Sequence, residues 1–439
     1  MNATETLARS SVHAFAASIV GVSIGLATSV FIARALGPQE KGAYDLVLST
    51  AILLALGLGL SLPSGITFAV ARRASAARNL IGWIMGIAVV QAMAAAAILA
   101  GLARADVGTT LGVSATDSAL WVVVPLLVAV LCVGPCLKAI LVGNQQVVLA
   151  SWLELCGRAI TLLVLVGVAL SGMDTVATAE GFVAVMLVGS AVGVGLYLPA
   201  ALHVNAIRGE AGLRTVIRFA APSHGANVLQ YLNYRVDLFL VAYFRDLREV
   251  GLYALAVTLA QLVWLVSNAV ATAVFARVGS ARDDLQESAN RTAALSRSFL
   301  VIQLVLAGIL AILAKPLLQI LYGTAFEPAL TAIWLLLPGV AVFGSARVLG
   351  AHIAGLGRPH LNLVVSASSL VVTLALDLLL IPSFGMNGAA IASTASYASA
   401  AGVMALLFSR STGVPLLGVF VMRRTDLRRV AAGLRTVLR

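Results

Sequence analysis

Apolar runs of about 20 residues recur from one end of this 439-residue chain to the other, and each is long enough to cross a bilayer as a helix. Nothing else in the sequence constrains the fold so strongly. Only 11% of the residues are charged and 60% are hydrophobic, too little polar surface to cover a soluble globule of this size. A transmembrane barrel would show short alternating segments instead. The chain therefore reads as an all-α polytopic membrane protein. Twelve spans are predicted, roughly at 12–34, 44–70, 79–103, 119–142, 147–170, 180–203, 214–243, 250–276, 293–314, 329–354, 361–382 and 386–409. The first run, Ser11 to Leu36, is too long for a signal-peptide core and reads as a retained first helix. The connections are short, and none holds an extramembrane domain.

The stretch Phe31–Ala51 is echoed by Leu240–Ala260. Aligning them pairs Ala33 with Ala242, Glu40 with Glu249, Gly42 with Gly251, Tyr44 with Tyr253, Leu46 with Leu255 and Ala51 with Ala260. The offset is nearly half the chain. The expected organisation is thus two six-helix lobes related by an internal repeat: residues 1–208 with helices 1 to 6, residues 209–410 with helices 7 to 12, and a basic tail at 411–439. A repeat of this kind in a membrane protein points to a transporter with its site between the halves.

The net charge is +11, and the only lysines are Lys41, Lys138 and Lys315. The cations lie mostly in connections between spans, so they report orientation and contact with anionic lipid rather than nucleic acid. If the N-terminus is cytoplasmic, the inside holds Arg9, Arg72, Arg73, Arg78, Lys138, Arg208, Arg214, Arg218, Arg277, Arg282, Arg291, Arg297, Arg358 and the arginines of the tail. The outside keeps only Arg34, Lys41, Arg104, Arg245, Arg248 and Lys315. This asymmetry predicts both termini inside and an even number of spans. In the tail, Phe420, Leu427, Val430, Leu434 and Leu438 recur at helical spacing among arginines, the pattern of an amphipathic helix on the anionic inner leaflet or of a plain topology anchor.

Cys132, Cys136 and Cys156 fall inside apolar runs and read as packing residues, neither a disulfide framework nor a metal site. There is no loop with paired carboxylates, no glycine-rich phosphate loop with lysine and no nucleophile motif. The expectation is a non-enzyme without cofactor or metal. The glycine pairs Gly21/Gly25, Gly82/Gly86 and Gly189/Gly193 are spaced for close helix approach. Pro63, Pro125, Pro135, Pro222 and Pro338 interrupt spans, each bending or loosening its helix.

The charges inside spans carry the functional reading. Arg235 and Asp237 sit within the seventh span, two apart, so they point to different sides and need not neutralise each other. Asn227, Gln230, Tyr231, Asn233 and Tyr234 make this an unusually polar helix. One reading is a cavity wall that binds an anionic or sugar-like group, with arginine forking a phosphate. The other is structural: Arg235 pairs with an acid on another helix or snorkels outward. Glu154 and Arg158, four apart, read as a self-satisfied ion pair. Asp377 and Arg347 are isolated on their own spans; either they pair with each other or Asp377 binds a coupling cation.

The turn Ala33–Leu46 and the pattern Asn233–Ala256 resemble polysaccharide flippases of the multidrug/oligosaccharidyl-lipid/polysaccharide superfamily. So do the turns Leu321–Gly339 and Leu378–Tyr397. The matches run in the expected order along nearly the whole chain. The resemblance implies two six-helix lobes around a central cavity and movement of a lipid-linked oligosaccharide from the inner to the outer leaflet of a bacterial plasma membrane. It also implies glycan polymerase or export proteins as partners. In such transporters, cations of the first, second, seventh and eighth helices receive the diphosphate. Arg235 is the cation of that set clearly within the membrane, and Arg34 lies near the outer end of the first helix. The expected substrate-binding residues are therefore Arg235, Asp237, Asn233, Gln230, Asn227, Tyr231 and Arg34, with Asp377 and Asp237 as coupling acids. The competing readings are a cation-coupled drug or metabolite exporter of the same fold, a membrane glycosyltransferase or polymerase, and a non-transporting scaffold.

Overall fold

The computed structural model describes residues 3–71, 77–104, 120–171, 178–204, 213–280 and 285–420. The described residues contain helices and turns and no strand, as lipid requires of a chain that must satisfy its own backbone hydrogen bonds. In order they are α1 (Ala3–Leu58), α2 (Leu62–Ala71), α3 (Ala77–Arg104), α4 (Leu120–Gly143), α5 (Val147–Leu170), α6 (Ala179–Gly195), α7 (Tyr197–Leu202) and α8 (Leu213–Phe244). There follow α9 (Leu247–Gln261), α10 (Trp264–Ser280), α11 (Leu285–Leu317), α12 (Ala329–Gly355), α13 (His360–Phe384), α14 (Met386–Thr412) and α15 (Leu417–Phe420). The amphipathic tail predicted from sequence falls mostly at 421–439, outside the described residues.

Nine described helices are long and apolar enough to cross a bilayer, or ten if α9 and α10, bent by 49°, form one span. Helices nevertheless occupy all twelve predicted places, for local reasons. α1 holds two spans, because Gly37 leaves helical geometry at φ 70° and Pro38 restarts the helix behind it. α8 is long enough to span at 32 residues but carries too many polar groups to stand out by hydropathy. The second predicted span breaks at Leu60 and Ser61, both at positive φ, before α2 resumes.

The chain forms two compact units, Met1–Tyr231 and Leu232–Arg439, whose boundary falls inside α8. In the first, Val216 joins a core with Ile66, Val70, Ile84, Leu137 and Ile140, while Ile32, Val47, Leu127, Leu165 and Phe182 form a second. In the second, Leu349, Ile353, Met404 and Phe408 pack on Ala289 and Ala293. Leu163, Leu170, Val371 and Leu379 are exposed, as leucines and valines facing hydrocarbon would be.

The repeat read from sequence has a structural counterpart inside each unit. Glu40 Oε2 accepts the backbone N–H of Ala179, the first residue of α6, at 2.9 Å. Glu249 Oε2 accepts that of Met386, the first residue of α14, at 2.8 Å. Each carboxylate satisfies an orphan donor at a helix N-terminus, where the dipole favours negative charge.

The glycine pairs divide. Gly193 lies against Gly157, where an added Cβ would come within 2.9 Å of the Gly157 Cα, and Gly189 meets Thr161 at 2.8 Å. These contacts bring α5 and α6 close together, backbone against backbone at Gly157 and Gly193. Gly25, Gly82 and Gly86 have nothing within 4 Å among the described residues, so the expected close approach is not made there.

Candidate functional site

The second half of α8 carries the polar side chains that a membrane helix tolerates only when they are matched. Asp237 is buried at 2% exposure and accepts from the Tyr253 hydroxyl of α9, from Ser393 Oγ of α14 at 3.0 Å and from the backbone N–H of Leu238 at 2.8 Å. One helical turn earlier, Asn233 Oδ1 lies 3.4 Å from the Thr373 hydroxyl of α13. Thr373 in turn is 2.7 Å from Ser396, which is 2.8 Å from Ser369. A connected row of small hydroxyls therefore lines the contact between α13 and α14.

Asp377 lies one turn beyond Thr373 on the same helix, with 0% exposure. Neither of its carboxylate oxygens has a hydrogen-bond partner among the described residues. It sits within electrostatic reach of Asp237. The expected pairing of Asp377 with Arg347 is not formed.

Arg347 is taken up elsewhere. Its guanidinium lies over the Trp264 ring, 4.9 Å from the centroid, and 6.0 Å from that of Phe343, four residues earlier on α12. Among the described residues it donates one hydrogen bond, to the Tyr234 hydroxyl of α8 at 3.4 Å. Arg235 is half-buried, makes no ion pair among the described residues and lies within electrostatic reach of Asp237 on its own helix. It lies, with Arg347, within electrostatic reach of Tyr397 on α14.

The remaining predicted residues belong to the first unit. Asn227 donates to Ser61 Oγ at 2.9 Å, and the Tyr231 hydroxyl donates to the Ser49 carbonyl at 3.0 Å. Gln230 and Arg34 are exposed. Asn227 and Ser61 border a cavity of about 270 Å³ lined mainly by Ile52, Ile84, Ile87 and Leu131. The site residues thus fall in two sets: Arg34, Asn227, Gln230 and Tyr231 in one unit, and Asn233, Arg235, Asp237 and Asp377 in the other. The Glu154–Arg158 pair forms at 2.6 Å as expected, joined by Lys138 on the same carboxylate.

Tyr253, Ser393, Thr373 and Ser396 had no place in the expected site. Tyr253 was visible only as a repeat position, and the hydroxyl residues of α13 and α14 look like ordinary small residues of membrane helices.

Residues 31–331 match the profile of a family described as polysaccharide biosynthesis protein. The probable low-salt glycan biosynthesis flippase Agl15 of Haloferax volcanii is 26% identical over 189 residues, 42% of this chain and 40% of that protein. The match therefore spans less than half of that relative's length. Among solved structures, the lipid II flippase MurJ in an inward closed conformation is similar at a TM-score of 0.71 and 14% identity, covering 97% of both chains. An inward-facing multidrug resistance MATE family transporter of the MOP superfamily reaches 0.67 at 14% identity, over 90% of this chain and 94% of that one. At these identities the likeness establishes the fold.

Proposed function

We propose that this chain, which belongs to the polysaccharide biosynthesis protein family, is a flippase for a polyprenyl-diphosphate-linked oligosaccharide. It moves the lipid from the inner to the outer leaflet by alternating access and so feeds cell-surface polysaccharide assembly. The observation that carries the reading is Arg235: a half-buried cation inside a membrane helix, with no ion pair among the described residues. A diphosphate headgroup cannot cross ~30 Å of hydrocarbon unaided, because its polar groups would lose their hydrogen bonds. An unpaired guanidinium offers the fork that a phosphate needs. Asn233, Gln230, Asn227, Tyr231 and Arg34 are the further proposed substrate-binding residues.

Asp237 and Asp377 are the proposed coupling acids. Two carboxylates packed in one dry interior call for a proton or a bound cation as counter-charge. The orphaned oxygens of Asp377 are where an incoming ion finds acceptors. The protein sits in a bacterial plasma membrane with both termini cytoplasmic, its basic tail on the anionic inner leaflet, and glycan polymerase or export proteins are its partners. An unpartnered buried acid also fits a cation-coupled exporter of the same fold, and gradient-driven dye efflux separates the two readings. The direct test is transbilayer movement of a fluorescent polyprenyl-diphosphate sugar by purified protein in liposomes.

A further inference from the structure

Arg347 lies outside the cationic positions expected from the resemblance, on the tenth span rather than the first, second, seventh or eighth. An arginine at membrane depth usually meets a carboxylate, and this one does not. Its surroundings are aromatic. Trp264 is fixed from below: its Nε1 donates to the Val340 carbonyl at 2.8 Å, and its ring meets Phe343 and Tyr397 edge-on at 5.7 and 5.5 Å. Phe343 and Tyr397 stack at an interplanar angle of 18°. Tyr234 closes the cluster, 5.7 Å from Trp264. Four helices thus build a rigid floor, and the guanidinium rests on it.

A cation over a ring is restrained in its plane but not satisfied at its edges. Of the five guanidinium N–H donors, the described residues take one, through the long contact to Tyr234. Arg235 follows Tyr234 in sequence, and both cations act on Tyr397. Asp237 acts on the same ring, but its carboxylate is already taken up by Tyr253, Ser393 and the backbone N–H of Leu238, so the guanidinium donors of the two arginines are left to a guest that carries two negative groups.

We propose that Arg347, held over the Trp264 and Phe343 rings, is a second phosphate-binding residue that shares a diphosphate with Arg235. The proposal rests on the flippase reading for the source of that diphosphate, though not for the site itself. Lysine would keep the charge at this position but lose both the stacking and the fork.

Pyrophosphate titration of the purified full-length protein in detergent, followed by tryptophan fluorescence, tests the site without requiring transport. Wild type is expected to bind. Arg347→Ala is expected to weaken binding by about tenfold or more, the loss of one charge-assisted contact, with Arg347→Lys in between. Thermal melts identify variants that fail to fold, and Trp264→Phe, which keeps a ring under the guanidinium, provides a milder disturbance of the same floor. In liposomes, Arg347→Ala should slow a diphosphate-linked sugar more than a monophosphate-linked one. Equal pyrophosphate binding by wild type and folded Arg347→Ala or Arg347→Lys overturns the proposal. So does a response to phosphatidylglycerol alone, which would make the ligand a bilayer headgroup. A wild type that binds pyrophosphate but moves no lipid leaves the site standing and removes the flippase reading.

Discussion

The Tyr253 hydroxyl donates to the Asp237 carboxylate, and both are buried. In the first half of the chain the equivalent tyrosine, Tyr44, reaches the Met186 thioether instead. The alignment that pairs Tyr44 with Tyr253 places Thr28 at the Asp237 position and Ile24 at that of Asn233. Thr28 spends its hydroxyl on its own helix, at the Ile24 carbonyl. The two units therefore share a scaffold and differ in interior chemistry.

That difference sets the cost of removing each hydroxyl. Tyr253→Phe leaves a buried carboxylate short of one donor and should destabilise by about 1–3 kcal/mol. Tyr44→Phe loses only a bond to a weak sulfur acceptor and should cost less than about 1 kcal/mol. Thermal unfolding of the two variants in detergent measures the contrast, and equal losses would contradict it.

Glu40 and Glu249 hold the first residues of α6 and α14. Replacing either with alanine removes a charged partner from a helix N-terminus, worth about 1–2 kcal/mol. Glu249 also pairs with Arg245 at 2.9 Å, a half-exposed contact that adds little. The two variants should therefore melt at similar temperatures, both below wild type. A loss confined to one of them would mean that the repeat is not equivalent at this position.

Asp377→Asn removes no hydrogen bond among the described residues. Its melting temperature should match or exceed that of wild type. Transport should persist or fall while its response to imposed proton and sodium gradients disappears. An unchanged gradient response in the folded variant would remove Asp377 from coupling.

Orientation is tested by labelling. Single cysteines placed in 72–78 and 280–290, in a background without Cys132, Cys136 and Cys156, should react with impermeant reagents only from the cytoplasmic side. Reaction from outside would overturn the arrangement with both termini inside.

Much of the scaffold is legible in the sequence because membrane helices announce themselves by hydropathy and repeats by their turns. Glu40 and Glu249 could be aligned from sequence because the turn residues around them are distinctive. Breaks inside spans were harder: Leu60 and Ser61 take positive φ although neither is glycine, so only nearby Gly57, Gly59 and Pro63 hint at a break. The candidate site was half legible. Arg235, Asp237 and Asn233 stand out as polar residues in an apolar run, but their partners Thr373, Ser393 and Ser396 do not. Arg347 and Asp377 looked like partners because each was an isolated charge. Sequence separation cannot show that an aromatic floor holds one and that no described residue hydrogen-bonds the other. Gly82 and Gly86 show the same limit, since helical spacing does not say which face meets a neighbour.

The central claim is tested most directly by a scrambling assay in proteoliposomes. A fluorescent polyprenyl-diphosphate sugar is incorporated in both leaflets, and a membrane-impermeant quencher reports the fraction that reaches the outside. Wild type should expose the inner pool, while folded Arg235→Ala should leave it protected, as empty liposomes do. Exposure at the wild-type rate by Arg235→Ala would remove that residue from the path, and no movement by wild type under any ion gradient would contradict the flippase account.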